Sequence, residues 1–260
     1  MTVTEQFSPQ PRVAIVGAGN VAGHLAEALA QTGCLVGVWS RNESHALSIA
    51  APLNVSGGAI SALPRDLDVY IVAVKDDAIP TVSASMGDVA GIVAHTSGTA
   101  PMDALVQARR GVFYPLQTFS NNRQIDMSEV PFFIEGADDD VSEVLMNLAL
   151  RISPKVRYAG SDTRATLHLA AVFACNFANH LWTIAEDILK REAGCSLEVF
   201  APLLRETLAK AMECGAGASQ TGPAARGDIH TMEKHLRRLE GMWSDIYRIM
   251  SQDIMNNNSK

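Results

Sequence analysis

Apolar residues in the first part of the chain occur in short continuous runs, separated by stretches in which they recur every three or four positions. Continuous runs are typical of strands buried on both faces of a sheet, and the recurring pattern is typical of helices packed on that sheet. Strands are predicted at residues 12–17, 34–40, 69–74 with Asp68 before it, 91–97, 111–116 and 131–136, and helices at about 20–32, 43–51, 77–86, 101–108 and 138–151. This alternation predicts an α/β domain with a mostly parallel sheet.

A different pattern begins near residue 160, where long amphipathic stretches replace the short runs. Residues 160–194 contain no proline, and they predict one long helix with Ser161 or Asp162 as its N-cap and Gly194 as its stop. Two more helices are predicted, at about 196–214 and at about 228–253. The domains expected from this change of pattern are residues 1–157, an α/β domain, and residues 158–260, an all-helical domain for substrate binding and dimerisation.

A glycine-rich segment follows the first predicted strand and directly precedes the first predicted helix. In it Gly17, Gly19 and Ala22 form the pattern G-x-G-x-x-A. The first glycine permits a tight turn, the second lets the backbone approach a pyrophosphate, and the small third residue keeps helix and strand close. The pattern predicts a Rossmann-like dinucleotide-binding unit, with a tight turn beside some other ligand as the alternative. Its candidate cofactor-binding residues are Gly17, Gly19, Asn20, Val21 and Val74.

The second predicted strand ends without the acidic residue that usually follows it in such units. An Asp or Glu at this point binds the ribose hydroxyls of NAD, and its charge disfavours the additional phosphate of NADP. Here the segment GVWSRN supplies Ser40, Arg41 and Asn42 instead, and these side chains could donate hydrogen bonds to a phosphate. The predicted cofactor is therefore NADP rather than NAD. The alternative is that Arg41 is a solvated loop residue.

Composition and charge exclude several classes of function. A net charge of -7 argues against nucleic-acid binding, which needs an excess of Lys and Arg. The four cysteines are scattered without metal-ligand spacing, so neither a metal site nor a disulfide framework is expected. The sequence has no apolar run long enough to span a membrane, and its first residues lack the features of a signal peptide. A soluble, cytoplasmic protein is therefore expected.

Four further segments are typical of a known protein family, and the similarity covers almost the whole chain. The segments are HTSG at 95–98, FYPLQTF at 113–119, AAVFACNFANHL at 170–181 and QTGPAARGD at 220–228. With them the chain resembles a family of bacterial oxidoreductases that joins a Rossmann-like N-terminal domain to a helical C-terminal domain of unassigned function. The layout is more distantly similar to ketopantoate reductase, pyrroline-carboxylate reductase, prephenate dehydrogenase and the deazaflavin-dependent NADP reductases. In those enzymes the nicotinamide lies between the carboxyl edge of the sheet and the helical domain.

The resemblance implies an NADP-dependent reductase or dehydrogenase that transfers a hydride between the nicotinamide and a small 2-oxo or 2-hydroxy acid of the ketopantoate kind. Two alternatives remain open: a cyclic imine reductase of the pyrroline-carboxylate reductase type, and an NADP-binding protein without catalytic activity. The family commonly has His immediately before PLQTF, whereas Tyr114 stands at that position here. Related enzymes also place a Lys in the long helix, but this helix has none before Lys190.

The long helix carries other polar residues that are candidates for catalysis. At 100° per residue, Cys175 and Asn179 lie within about 20° of His168, and Asn176 lies about 80° away at the edge of that face. His168, Asn176 and Asn179 could bind the substrate or stabilise charge on its oxygen. The alternative is a hydrogen-bonded network that holds neighbouring helices together.

Three more candidates lie outside this helix. Ser97 falls at the carboxyl edge of the sheet, where open sheets bind ligands, and it could contact the nicotinamide or the substrate unless it merely ends the strand. His95 is expected to support that loop, and Tyr114 is a further catalytic candidate. Arg226 could bind a substrate carboxylate through both guanidinium arms, or it could pair with Asp228 or lie at a dimer interface.

The final predicted helix indicates how the chain associates. This helix carries more large apolar side chains than a small helical bundle could bury by itself. They are Met242, Trp243, Ile246, Ile249 and Met250. Obligate interfaces have an apolar character of this kind. A homodimer formed mainly by the helical domain is therefore expected.

Overall fold

The structure is a computed structural model that describes residues 10–120 and 123–258. The described residues form two compact units, which are divided between Cys175 and Asn176. This division falls inside the long helix, whereas the domain boundary predicted after residue 157 lies before that helix. The first part of the helix therefore belongs spatially with the sheet.

The first unit is built on one sheet. Its strands are β1 (Val13–Val16), β2 (Leu35–Ser40), β3 (Ser56–Ala59), β4 (Val69–Val72), β5 (Ile92–His95), β6 (Arg110–Pro115), β7 (Phe132–Gly136) and β8 (Val156–Tyr158). The spatial order is β3-β2-β1-β4-β5-β6-β7-β8, and neighbours are parallel except for the antiparallel pair β6 and β7. The strand order reverses between β1 and β4, and open sheets leave a ligand crevice at the carboxyl ends of strands at such a point.

Helices flank the sheet and make up the second unit. They are α1 (Asn20–Gln31), α2 (Glu43–Ala50), α3 (Ile79–Met86), α4 (Asp139–Leu150) and α5 (Ser161–Ala171) in the first unit, and α6 (Ala178–Glu192), α7 (Ala201–Cys214), α8 (Ile229–Leu236) and α9 (Gly241–Asn258) in the second. The predicted fold class, a Rossmann-like mostly parallel sheet followed by a helical region, is confirmed. No helix among the described residues is both long and apolar enough to cross a membrane.

The sequence pattern missed two edge strands and predicted one helix wrongly. The edge strand β3 has the sequence SGGA and β8 has only three residues, so neither shows the apolar run of a buried strand. The helix predicted at 101–108 is a single 3-10 turn, Met102–Ala104. It does not continue because the N–H of Val106 donates to the hydroxyl of Ser83 at 2.9 Å.

Two other helix predictions were wrong in detail. Neither Ser161 nor Asp162 caps the long helix, because Gly160 is its N-cap and the Ser161 hydroxyl lies 3.1 Å from both carboxylate oxygens of Glu135. The helix predicted at 228–253 is divided into α8 and α9, since the chain turns at Gly241 with a φ of +54°.

Two predicted helix boundaries are confirmed. Gly194 follows the end of α6 with a φ of +63°, a conformation that favours glycine. Asp228 is the N-cap of α8, where its carboxylate accepts the N–H of Thr231 at 3.0 Å.

A π-helical segment, Val172–Phe177, joins α5 to α6 within the long helix. A π segment has wider turns than an α-helix, so the spacing of 100° per residue does not hold through it. The shared face predicted for His168, Cys175 and Asn179 rested on that spacing, and it is wrong beyond Ala171.

Candidate active site

A cleft of about 880 Å³ opens at the carboxyl edge of β1, β2 and β4, the point at which the strand order reverses. It lies within the first unit, and we call it the edge cleft. Its walls are formed by Gly17, Ala18, Gly19, Asn20, Val21, Ser40, Arg41, Asn42, His45, Ile60, Ala73, Val74, Lys75, Val82, Gln117 and Phe119. Every cofactor-binding residue predicted from the sequence is among them except Ser97.

The glycine loop has the shape that a pyrophosphate requires. Gly17 has a φ of +137°, and a Cβ there would lie 2.1 Å from the carbonyl oxygen of Ala73, so only glycine fits between β1 and β4. Gly19 differs, because nothing lies within 4 Å of a Cβ added there. Gly19 is also the N-cap of α1, and because it has no side chain it cannot accept hydrogen bonds from the first N–H groups of the helix. The first N–H groups of α1 therefore face open space at the positive end of a helix dipole, which is an anion-binding arrangement.

This geometry predicts the effect of one added methyl group. We expect Gly19→Ala to fold normally but to weaken NADPH binding by roughly fivefold. The added methyl group would press against the phosphate and make the binding free energy less favourable by about 1 kcal/mol. Gly23→Ala is the matched control, because its Cβ would also meet nothing within 4 Å but Gly23 does not line the cleft. The affinity of each variant for NADPH is measured by fluorescence titration. Equal affinity in both would show that the glycine loop does not bind the cofactor.

The segment after β2 carries an unpaired cation. Arg41 is exposed and has no hydrogen bond or ion pair with any other described residue. The Ser40 hydroxyl donates to the carbonyl of Asn42 at 2.6 Å, and the Asn42 side chain accepts from the N–H of His45 as the N-cap of α2. Ser40 and Asn42 therefore shape the loop, while Arg41 remains available to a ligand.

Sequence reasoning missed two basic residues of this cleft. His45 lies in the first turn of α2, and Lys75 follows β4 at the carboxyl edge. The position of Lys75 directly after a predicted strand was the available signal. Together with Arg41 they give the cleft a basic character, and the described residues that line it include no carboxylate.

The segment after FYPL packs on the glycine-loop helix. Asn20 donates from Nδ2 to the carbonyl of Phe119 at 3.0 Å, and a ring nitrogen of His24 lies 3.1 Å from the carbonyl of Ser120. The ring centroids of His24 and Phe119 are 5.2 Å apart. The side chain of Asn20 is therefore used to hold this segment at the mouth of the cleft.

A second polar cluster lies further along the same edge, at the ends of β5 and β6. The hydroxyl of Tyr114 is 3.2 Å from Nδ1 of His168, with the donor set by the histidine tautomer. A Cβ at Gly98 would lie 2.7 Å from that nitrogen and 2.9 Å from the hydroxyl oxygen. The structure therefore brings together Tyr114, His168 and the HTSG loop, all three of which the sequence identified as candidates.

Ser97 and His95 organise that loop. The Ser97 hydroxyl oxygen accepts the N–H groups of Thr99 and Ala100 at 3.1 and 2.9 Å. Nδ1 of His95 accepts the N–H of Ser97, so Nε2 carries the proton and donates to the carbonyl of Pro101 at 3.3 Å. Burial, and then the positive charge of Arg164, lower the pKa of His95 to about 4. His95 is therefore neutral at pH 7 and supports the loop, as the sequence predicted.

Tyr114 is suited to hold a proton. Burial raises its pKa above the usual value of 10, the nearby Arg164 charge lowers it, and Asp76 raises it. The phenol is therefore protonated over the physiological range. His168, whose Nδ1 contacts this phenol, is half-buried.

Arg164 is a member of this cluster that sequence reasoning missed. Its side chain is completely buried and forms an ion pair with Glu135. The only signal in the sequence is that it precedes His168 by one helical turn.

The remaining candidates lie in the second unit or at its boundary. Asn176, Asn179 and Arg226 are exposed. Arg226 forms no ion pair with Asp228 among the described contacts, and the two carboxylate oxygens of Asp228 accept the N–H and the hydroxyl of Thr231 at 3.0 and 2.7 Å. Substrate contact by these three residues stays a prediction.

Family comparisons agree with the two-part organisation of the chain. The family model described as NADP oxidoreductase, coenzyme F420-dependent, matches residues 12–93, which include the glycine loop and Arg41. The model of a domain of unknown function (DUF2520) matches residues 130–254. None of the curated proteins matches the chain significantly.

Solved structures extend the comparison over nearly the whole chain. A Bacteroides fragilis protein assigned as an NADP oxidoreductase is 34% identical, with 95% of this chain and 98% of that one covered and a TM-score of 0.87. A Thermotoga maritima protein is 22% identical over 95% and 98% of the two chains, with a TM-score of 0.73. A Myxococcus stipitatus imine reductase in complex with NADP+ is 15% identical over 95% and 92%, with a TM-score of 0.62, and shares the fold.

Proposed function

The chain belongs to the oxidoreductase family that joins an NADP oxidoreductase domain to a DUF2520 domain, and we propose that it is an NADP-dependent reductase of a small 2-oxo acid of the ketopantoate kind. The observation that carries this proposal is the pair of sites on one sheet edge. A basic cleft, with no carboxylate among the described residues that line it, lies at the ends of β1, β2 and β4, and a tyrosine whose pKa is raised by burial lies at the end of β6.

The choice of NADP rests on charge. A carboxylate after β2 would favour the free ribose hydroxyl of NAD, whereas this position holds Arg41, which has no partner in the part of the chain that the structure describes. His45 and Lys75 line the same cleft. An anionic phosphate is the ligand group that such a set of donors favours.

Reduction of a carbonyl requires a proton for the oxygen as well as a hydride for the carbon. The nicotinamide, when bound, supplies the hydride. Tyr114 holds the proton, and its hydroxyl donates it to the oxygen as negative charge develops there. His168, in contact with the same hydroxyl, returns a proton to the phenolate from solvent. The pair therefore does the work for which related enzymes use a Lys.

We propose separately that exposed residues of the helical unit take part in substrate binding. Asn176 and Asn179 are candidates to donate hydrogen bonds to a substrate oxygen, and Arg226 is a candidate to bind a carboxylate through its guanidinium arms.

Oxidation of NADPH tests the function directly. We expect consumption with a panel of short-chain 2-oxo acids and none with cyclic imines of matched size. A second candidate, a cyclic imine reductase, is favoured by the fold shared with the imine reductase of Myxococcus stipitatus, and consumption with the imine panel alone would support it. Tight binding of NADPH with consumption by neither panel would instead indicate a binding protein without catalytic activity.

We also propose that the chain forms a homodimer through its helical unit. Among the described residues of that unit only Ala224, Met232 and Ser244 are buried, and so small a core does not stabilise a unit of this length alone. Large apolar side chains are exposed instead, and they include Trp182, Val199, Leu203, Leu208, Met212, Ile229, Met242, Ile249 and Met250.

Sedimentation tests the dimer. We expect a dimer at micromolar concentration and a dissociated or aggregated species for Ile249→Lys, which places a charge on an exposed apolar position. Asn256→Lys, at an exposed polar position of the same helix, is the control and should remain dimeric. A wild-type chain that sediments as a monomer at micromolar concentration would refute the dimer.

A further inference from the structure

The guanidinium of Arg164 has four hydrogen-bond partners. It is fully buried on α5, and its guanidinium donates to the carbonyl of Ser97 at 3.1 Å, to the carbonyl of Ala100 at 2.7 Å and to the hydroxyl of Ser161 at 3.3 Å. The fourth partner is the carboxylate of Glu135 on β7. One side chain therefore joins α5, β7 and the loop after β5.

Stability alone is a poor explanation for this cluster. Burying a guanidinium removes its hydration, and an apolar pair of similar volume is often as stable or more stable than a buried ion pair. What an apolar pair cannot provide is a fixed geometry for two carbonyl groups. The planar fork of an arginine provides that geometry, and a lysine does not.

The two carbonyls that Arg164 binds are the ends of one tight turn, Ser97–Ala100. Within the turn, the hydroxyl oxygen of Ser97 accepts the N–H of Ala100 at 2.9 Å. Gly98 lies in this turn and faces the Tyr114–His168 pair so closely that a Cβ would be 2.7 Å from Nδ1 of His168. A small shift of the turn would therefore push against the pair.

The helix side of the arrangement has the same anchor. Arg164 and His168 are four residues apart on α5, so both project from the same side of the helix. Arg164 thus connects the two structures on either side of the Tyr114–His168 contact. Its guanidinium binds the Ser97–Ala100 turn, and its backbone is part of α5, the helix that carries His168. Its charge also lowers the pKa of Tyr114, which burial and Asp76 raise.

We propose that Arg164 is a positioning residue that holds the Ser97–Ala100 turn against α5, so that Tyr114 and His168 keep the geometry needed for proton transfer. Glu135 acts as its counter-ion and fixes the orientation of the guanidinium. The catalytic part of this proposal rests on the proposed function, whereas the positioning of the Tyr114–His168 pair does not.

Arg164→Lys is the main test, with Arg164→Met beside it. Lysine keeps the positive charge next to Glu135 but cannot bind the carbonyls of Ser97 and Ala100 with a planar fork. We expect both variants to lower kcat by roughly ten- to a hundredfold, the cost of a small misplacement of reacting groups. The Kd for NADPH should stay close to the wild-type value, because Arg164 does not line the edge cleft. Arg109→Met, which breaks an exposed ion pair with Asp140, is the control and should keep wild-type kcat.

A readout independent of turnover separates this proposal from the function. In protein labelled with 15N at histidine, the ring signals of His168 report its contact with Tyr114, and both Arg164 variants should shift them while Arg109→Met should not. This holds even if the wild type reduces neither panel of substrates. Glu135→Gln keeps the shape of the cluster and should shift the same signals less, which gives a second test if Arg164→Met fails to fold.

Two results would overturn the proposal. One is a folded Arg164→Lys or Glu135→Gln protein in which the His168 signals keep their wild-type positions. The other is full recovery of kcat in Arg164→Lys when Arg164→Met is impaired, because the charge alone would then carry the effect.

Discussion

Tyr114→Phe is expected to lower kcat by roughly 10²- to 10³-fold, the usual contribution of a positioned general acid. The change removes the only proton that Tyr114 can give and the contact of its hydroxyl with Nδ1 of His168. The fold should survive, since phenylalanine keeps the ring that packs beside Phe133 with centroids 6.4 Å apart. The Kd for NADPH should stay within about twofold of the wild-type value, because the Tyr114 hydroxyl is not proposed to bind the cofactor and its loss removes no hydrogen bond to NADPH.

Tyr70→Phe is the matched control for this variant. Tyr70 is also buried, but its hydroxyl donates to the carbonyl of Pro64 and accepts the N–H of Leu67, away from the edge cleft. That variant should lose stability and keep kcat. If Tyr114→Phe keeps kcat as well, the proton comes from another group and the role given to Tyr114 is wrong.

The pH dependence follows from the direction of the Tyr114 pKa. Because burial raises that pKa above 10, the protonated form needed for reduction persists through neutral pH and is lost only above pH 10. A fall of kcat/KM at lower alkaline pH in the wild type would have to come from a different group.

Arg41→Ala is expected to weaken NADPH binding by roughly ten- to a hundredfold and to change NADH binding little. Hydrogen bonds to charged groups contribute about 1.5–3 kcal/mol, and about 1.4 kcal/mol is tenfold in affinity. Within residues 10–120 and 123–258, no side chain or backbone group pairs with Arg41 and would compete with the phosphate. Arg157→Ala is the control, because it removes an exposed positive charge from the same unit without touching the cleft.

Ser40→Asp should act in the opposite sense on the two cofactors. The carboxylate would repel the phosphate of NADPH and accept the ribose hydroxyls of NADH. It would also replace the hydroxyl that donates to the carbonyl of Asn42 at 2.6 Å, so its thermal stability needs to be compared with that of the wild type. A loss of NADPH affinity in Arg41→Ala that is matched by an equal loss for NADH would mean that Arg41 does not recognise the phosphate.

The sequence predicted the six inner strands and the glycine loop of the edge cleft because the signals for them are local. A strand, a tight glycine turn and a helix that follow one another directly determine where Gly17, Gly19 and Arg41 lie. The strands without an apolar run, β3 and β8, could not be identified in the same way. Their pairing is decided by neighbours far away in the chain.

The cluster around Tyr114 depended on contacts that no local pattern records. Glu135 and Arg164 lie on separate elements, and their pairing requires β7 and α5 to be adjacent. The π segment at Val172–Phe177 broke the helical spacing from which the shared face of His168 and Asn179 was predicted. Tyr114 and His168 were identified as separate candidates, and only the fold shows that they touch.

The most direct measurement is a calorimetric titration of the wild-type chain with NADPH and with NADH. The basic cleft, whose described lining contains no carboxylate, predicts tighter binding of NADPH by roughly ten- to a hundredfold. Binding of NADH as tight as that of NADPH, or tighter, would contradict the account.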